Sequence, residues 1–110
     1  MNDLKFIESI NSRRHLVDWD VDFSCKSIKL LKLAAGSTVG DHFHLKKDEL
    51  FVLIDGVISE LVLDGVVTKD LKPPAAWVVK QGVHHTYFCS EPATLICLAT
   101  KIFDSSDDYK

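Results

Sequence analysis

From Gly36 to Pro92 the chain is divided into short apolar runs, most of them closed by a glycine or a proline. Leu50 to Ile54 stops at Asp55-Gly56, Val57 to Leu63 at Asp64-Gly65, and the next segment at Pro73-Pro74. Runs this short between turn formers read as strands, because a helix needs about ten or more residues carrying a 3.6-residue period. No window sustains that period. Asp64-Gly65 is a type I′ hairpin signal, and Pro73-Pro74 blocks helix at the preceding residue. The pattern predicts an all-β sandwich or barrel.

Individual strands follow from the alternation. In Val17 to Phe23, Val17, Trp19, Val21 and Phe23 share one face and three aspartates share the other, which predicts a half-buried antiparallel strand. Those aspartates also discourage edge-to-edge pairing. Leu4 to Ile10 is either a first strand or a swapped arm. Ile28 to Ala34 is the next strand, and Leu50 to Ile54, apolar on both faces, lies between two layers. Trp77 to Val79 and Thr86 to Cys89 are short strands, and Thr94 to Phe103 is a long one after the Glu91-Pro92 turn. The small acidic tail 104–110 is expected to fray. Residues 1–110 thus read as one domain with a core over about 16–103, long enough to do without staples.

Charge excludes several partners. The formal net charge is -3 and no lysine/arginine cluster forms a stripe, so nucleic acid and anionic membrane are poor partners. No apolar run approaches the roughly 20 residues that span a bilayer. The N-terminal residues lack a secretory apolar segment, so a cytoplasmic location is expected. Cys25, Cys89 and Cys97 lack a C-x-x-C spacing and read as reduced thiols.

Chemistry concentrates in Gly36 to Gly56. His42 and His44 are two apart, and on an extended chain residues i and i+2 face the same way. Glu49 opens the next apolar run, and a short hairpin through Leu45 to Asp48 can bring it alongside. Two imidazoles and a carboxylate form a partial shell for a divalent transition metal, and Gly82-Val83-His84-His85 offers a further donor.

These residues resemble the two motifs of the cupin superfamily. The first is glycine, five residues, His-x-His, three or four residues, glutamate, six residues, glycine; Gly36, His42, His44, Glu49 and Gly56 fill every position. Gly82 and His85 match the second, whereas Pro74, Lys80 and Cys89 stand where its first glycine, its proline and its asparagine belong. The resemblance covers about Cys25 to Phe103. It implies a small RmlC-like cupin, a double-stranded β-helix or jelly-roll barrel, with one divalent metal ion on His42, His44, Glu49 and His85. Fe, Mn, Zn, Ni, Co and Cu all suit three imidazoles and a carboxylate. Four protein donors leave up to two positions open for water or substrate, as a catalytic site requires.

The residues around this set have two readings each. Tyr87 shares parity with His85 and either moves a proton or hydrogen-bonds a substrate, or is a core aromatic. Cys89 is a substrate contact or an inert buried thiol, and Phe51 and Trp77 are cavity wall or core. His84 points away from His85. Lys29, Lys32, Lys46 and Lys47 read as solvated charges, and Arg13-Arg14-His15 as loop decoration or a phosphate contact.

Cupins perform many chemistries. The reading adopted is a metal-dependent enzyme on a small polar metabolite, leaning to isomerase, epimerase or lyase chemistry on a carbohydrate. That lean comes from a resemblance of Gly40 to Glu49 and of the Phe103 tail to small cupins of surface-carbohydrate pathways. The alternatives are an iron-dependent dioxygenase and a non-catalytic binding or sensor protein. A homodimer is expected, because the apolar outer face of a small jelly roll needs covering.

Overall fold

The structure, a computed structural model, describes residues 4–110. Ten strands follow in order: β1 Phe6–Ile10, β2 His15–Trp19, β3 Ser27–Leu33, β4 Ser37–His42, β5 Glu49–Asp55, β6 Ile58–Leu63, β7 Val66–Leu71, β8 Ala75–Val79, β9 His85–Cys89 and β10 Ala93–Ala99. Two four-stranded antiparallel sheets face each other, one ordered β3-β10-β5-β8 and the other β4-β9-β6-β7. β1 and β2 form a separate two-stranded ribbon. This is the all-β jelly-roll sandwich that the turn spacing and the two motifs imply.

Period-2 alternation assigns the faces. Along β10, Ala93, Leu95, Cys97 and Ala99 are buried while the residues between them are half-buried. Registers carry that parity across the sheet. Leu31, Leu95, Leu53 and Ala75 form one inward row, and Lys29, Cys97, Phe51 and Trp77 the next. A third inward row contains Ser27, Ala99, Glu49 and Val79. Opposite them Ile58, Leu61, Tyr87 and Cys89 close the core. Hydrophobic burial therefore dominates two of the rows, and the third places a carboxylate at one end of the barrel.

Several boundaries differ from the sequence reading. The strand expected over Val17 to Phe23 ends at Trp19, because its partner runs out: Asp20 N–H donates to the Lys5 carbonyl and Val21 is exposed. Of Leu4 to Ile10, Phe6–Ile10 is a strand in hairpin with β2, and Arg13 and Arg14 sit in the turn, their N–H groups capped by Asn11 Oδ1. The run expected to continue to Phe103 leaves its sheet at Ala99, where Thr100 exchanges hydrogen bonds with Asp48. Leu45 to Asp48 is not a hairpin. It crosses from one sheet to the other, so Glu49 faces the histidines across the barrel. Nor does the tail fray: Asp107 is only 2% exposed, and Tyr109 pairs its backbone with Phe43.

Asp64-Gly65 turns with positive φ at both residues, as a type I′ hairpin requires. Gly56 has a different constraint. Its φ is +86°, and a Cβ there would lie 2.4 Å from the Pro92 carbonyl oxygen and 2.8 Å from Ala93 Cα. Gly56→Ala is expected to cost at least ~1–2 kcal/mol from left-handed backbone alone, and more for the backbone displacement. A urea midpoint unchanged from the parent would show that residues 92–93 yield freely.

Candidate metal and substrate site

A bulge builds the first part of the site. The β4–β9 ladder slips by one residue between Gly40 and His42, so Asp41 is extra and His42 stands opposite His85. Gly40 is needed at this point: its φ is +92°, and a Cβ would approach the His85 carbonyl oxygen to 2.7 Å. His44 follows on the crossing segment, and Glu49 reaches in from β5 of the facing sheet. The loop before His85, where Lys80 replaces the motif proline, is held from outside. Gly82 N–H donates to the His44 carbonyl at 2.6 Å, Gln81 N–H donates to Asp48 Oδ1, and Lys80 pairs with Asp48.

Hydrogen bonds fix how the imidazoles present themselves. His44 Nδ1 lies 2.5 Å from the Asp107 carbonyl oxygen, which can only accept, so Nδ1 carries the proton. His42 Nδ1 is 2.8 Å from the Asp108 carboxylate, and His85 Nδ1 is 3.5 Å from the Val83 carbonyl. A neutral ring with its proton on Nδ1 has a bare lone pair on Nε2. One nitrogen from each of the three rings lies within 4.8 Å of the others. Burial pushes His85 down to about 4 and also lowers His42, so both are neutral near pH 7.

Glu49 completes the convergence. Its Oε1 lies 3.2 Å from His44 Nε2 and 3.6 Å from His85 Nε2, yet the atom is buried and makes no directed hydrogen bond. Lone pairs face lone pairs across these distances. Such an arrangement is unfavourable in a low-dielectric interior unless a cation or a shared proton sits among them. The donor set therefore fits a divalent transition metal. The other oxygen of Glu49 accepts from Cys97 Sγ at 3.3 Å and lies 3.9 Å from Lys47 Nζ.

The cluster lines a cavity of about 160 Å³. Phe51 and Tyr87 form part of its wall, together with Lys29 and the exposed Phe103, the ammonium over the ring. Burial raises the Tyr87 phenol, with neighbouring negative charge adding to the effect; the phenol stays protonated and donates rather than accepts a proton. The Cys97 thiol is raised by the same causes, burial first.

Two of the residues considered as substrate contacts do not reach this cavity. Trp77 stacks behind Phe51 with ring centroids 5.7 Å apart. Cys89 is fully buried at the other end of β9, donating its S–H toward the Ala34 carbonyl. His84 turns outward to Asp41, as its parity implies. Four contributors were not legible as such. Lys47, read as solvated, is 4% exposed and sits inside; its i, i+2 relation to Glu49 was the available signal. Cys97 has inward parity on an apolar strand. Asp107 and Asp108 come from the acidic tail, and nothing local in the sequence marks them.

No protein-family model matches the chain, and no curated protein matches it. Solved structures do. A 3,4-ketoisomerase from Helicobacter canadensis superposes with a TM-score of 0.81 at 20% identity, over 97% of this chain and 87% of that one. QdtA, a sugar 3,4-ketoisomerase from Thermoanaerobacterium thermosaccharolyticum solved with TDP, gives 0.79 at 20% identity over 96% and 84%. The fold is the cupin jelly roll. ChmJ, a 3′-monoepimerase from Streptomyces bikiniensis, matches at 0.81 with 13% identity, over 96% of this chain and 66% of that one.

Acid should destabilise the metal-free protein. His85 binds its proton near pH 4 when folded and near 6.5 when unfolded. The unfolded chain therefore holds more protons between these values, and stability falls as pH drops from 6.5 toward 4. Melting in chelator should show this slope, and His85→Gln should flatten it. A slope that His85→Gln leaves unaltered would assign the acid sensitivity elsewhere.

Proposed function

We propose that this chain is a sugar isomerase or epimerase that uses one divalent transition metal held by His42, His44, Glu49 and His85. The observation that carries the reading is the buried, unpartnered Glu49 Oε1 set against bare imidazole nitrogens that line a cavity. Its setting is a fold shared with sugar ketoisomerases and an epimerase. The cavity is smaller than the roughly 300–1,000 Å³ of sites for drug-sized ligands. It suits the reacting edge of a sugar ring, not a nucleotide. Any nucleotide would lie outside, where Lys46, Lys101, Ile102 and Phe103 line an adjoining groove.

Moving a carbonyl to the neighbouring carbon needs no external oxidant. A carbon-bound proton leaves, its electron pair forms the enediol double bond as the carbonyl oxygen gains a proton, and the reverse steps on the adjacent carbon restore a ketone. A bound metal would polarise the sugar oxygens and stabilise negative charge on them. Tyr87, held protonated, donates a hydrogen bond to one such oxygen. Lys47 presents a buried positive charge beside Glu49, and Phe51 gives the ring a flat apolar wall.

A second reading rests on the same lone pairs. A proton shared by His44 and Glu49 satisfies both without a metal, and neutral His42, backed by Asp108, is then the base that removes the carbon-bound proton. QdtA has been solved as a histidine-to-asparagine variant with TDP-4-keto-6-deoxyglucose, which makes that compound a suitable probe.

Incubated with it in D2O, the protein should shift the carbonyl and place deuterium on an adjacent carbon. Absence of both events would reject the enzyme reading in favour of a binding role, and oxygen uptake by iron-loaded protein would indicate dioxygenase chemistry. Freshly purified protein should hold about one metal ion per chain, absent from the His42→Ala, His44→Ala double variant with the fold retained. Full activity after exhaustive chelation would favour the metal-free reading.

A homodimer is part of the proposal. On the outer face of β3, Ile28 is 71% and Leu30 62% exposed, and Ile96, Leu98, Val52 and Val78 extend the same apolar surface in register. A contiguous patch of this kind is more than a lone domain usually leaves open, and a second copy of the chain is the occupant proposed. Light scattering should give a dimer mass that Leu30→Lys reduces to a monomer. A monomer mass for the parent at micromolar concentration would reject it.

A further inference from the structure

The acidic tail is joined to the histidines at two points. Asp107 places its carbonyl on His44 Nδ1 at 2.5 Å and its own carboxylate on the N–H groups of Leu45 and Lys46. Asp108, half exposed, places its carboxylate on His42 Nδ1 at 2.8 Å. Tyr109 fixes the register: it exchanges backbone hydrogen bonds with Phe43 at 2.8 and 3.1 Å, and the two rings stack 5.4 Å apart. Residues 107–109 thus run alongside 43–46, although they belong to neither sheet.

From this juxtaposition we infer that the C-terminal segment Asp107 to Tyr109 is the positioning element of the site, holding His42 and His44 in the Nδ1–H tautomer so that both Nε2 atoms face the cavity. The inference deepens the metal reading above and rests on it for its affinity arm. A ring whose Nδ1 is engaged cannot swivel, and its Nε2 becomes a better donor; outer partners of this kind typically change metal affinity about 10- to 100-fold. Without the tail, nothing else described holds either Nδ1. Asp107 and Asp108 are positioning residues here, not catalytic ones.

Two readouts separate this inference from the metal reading. In metal-free protein, ¹⁵N NMR of the imidazoles reports the tautomer directly. His42 and His44 should both show protonated Nδ1 and bare Nε2 near pH 7.5. Asp108→Ala should release His42 alone, and Asp108→Asn, which keeps an accepting oxygen, should restore it. A chain shortened to end at Ser106 should release both rings. If that chain does not fold, Asp108→Ala decides by itself. Unchanged tautomers in these variants would overturn the inference. In the second arm, Zn²⁺ titrated against a competing chelator should bind the Asp108→Ala protein about 10-fold or more weakly. An unchanged Zn²⁺ affinity would also overturn it. If the parent takes up no Zn²⁺, the metal reading fails, and the tautomer measurement alone judges the tail.

Discussion

The Glu49 carboxylate is the constraint around which the rest is arranged. It is buried, it faces imidazole lone pairs on one side, and on the other it is balanced by a thiol and a buried ammonium. An isolated carboxylate in such a place would take up a proton or destabilise the fold. Each surrounding feature answers that demand. Lys47 turns inward and Cys97 stays protonated to donate, while neutral His85 leaves the other oxygen to a cation or a shared proton. The apolar rows below, from Leu31 to Ala75 and from Phe51 to Trp77, keep water out and the two sheets at a fixed distance.

The site also explains why the connection from β4 to β5 crosses the barrel. Glu49 on a neighbouring strand would lie beside the histidines on one surface, with solvent on the far side. Reaching in from the opposite sheet, it encloses the space between them. Convergence from two sheets brings the polar groups of the site together above an apolar core, and convergent polar groups in a concavity are a common form for small-ligand recognition.

How much of this the sequence revealed depends on the range of the interaction involved. Alternation and turn chemistry are local, so the strand character of Leu50 to Ile54 and the Asp64-Gly65 hairpin were legible. So were the residues of the histidine cluster, because motif spacing is local too. Strand ends were less so: Trp19 and Ala99 end their strands where a distant partner ends. The crossing through Leu45 to Asp48 and the burial of Lys47 depend on which sheet each strand joins, which no short window encodes. The tail was misread because its composition is that of a solvated end, while its order comes from contacts with residues some sixty positions earlier.

The bulge at Asp41 has a consequence for how such chains are compared. In a regular ladder the position opposite His85 would belong to residue 41, and His42 would point out of the barrel. One inserted residue changes the parity of everything after it on that strand. The same residues paired without the bulge would put Asp41 opposite His85 and turn the imidazole of His42 toward solvent. Two chains could share the motif and the fold, and only the one whose strand bulges at this residue would possess the site.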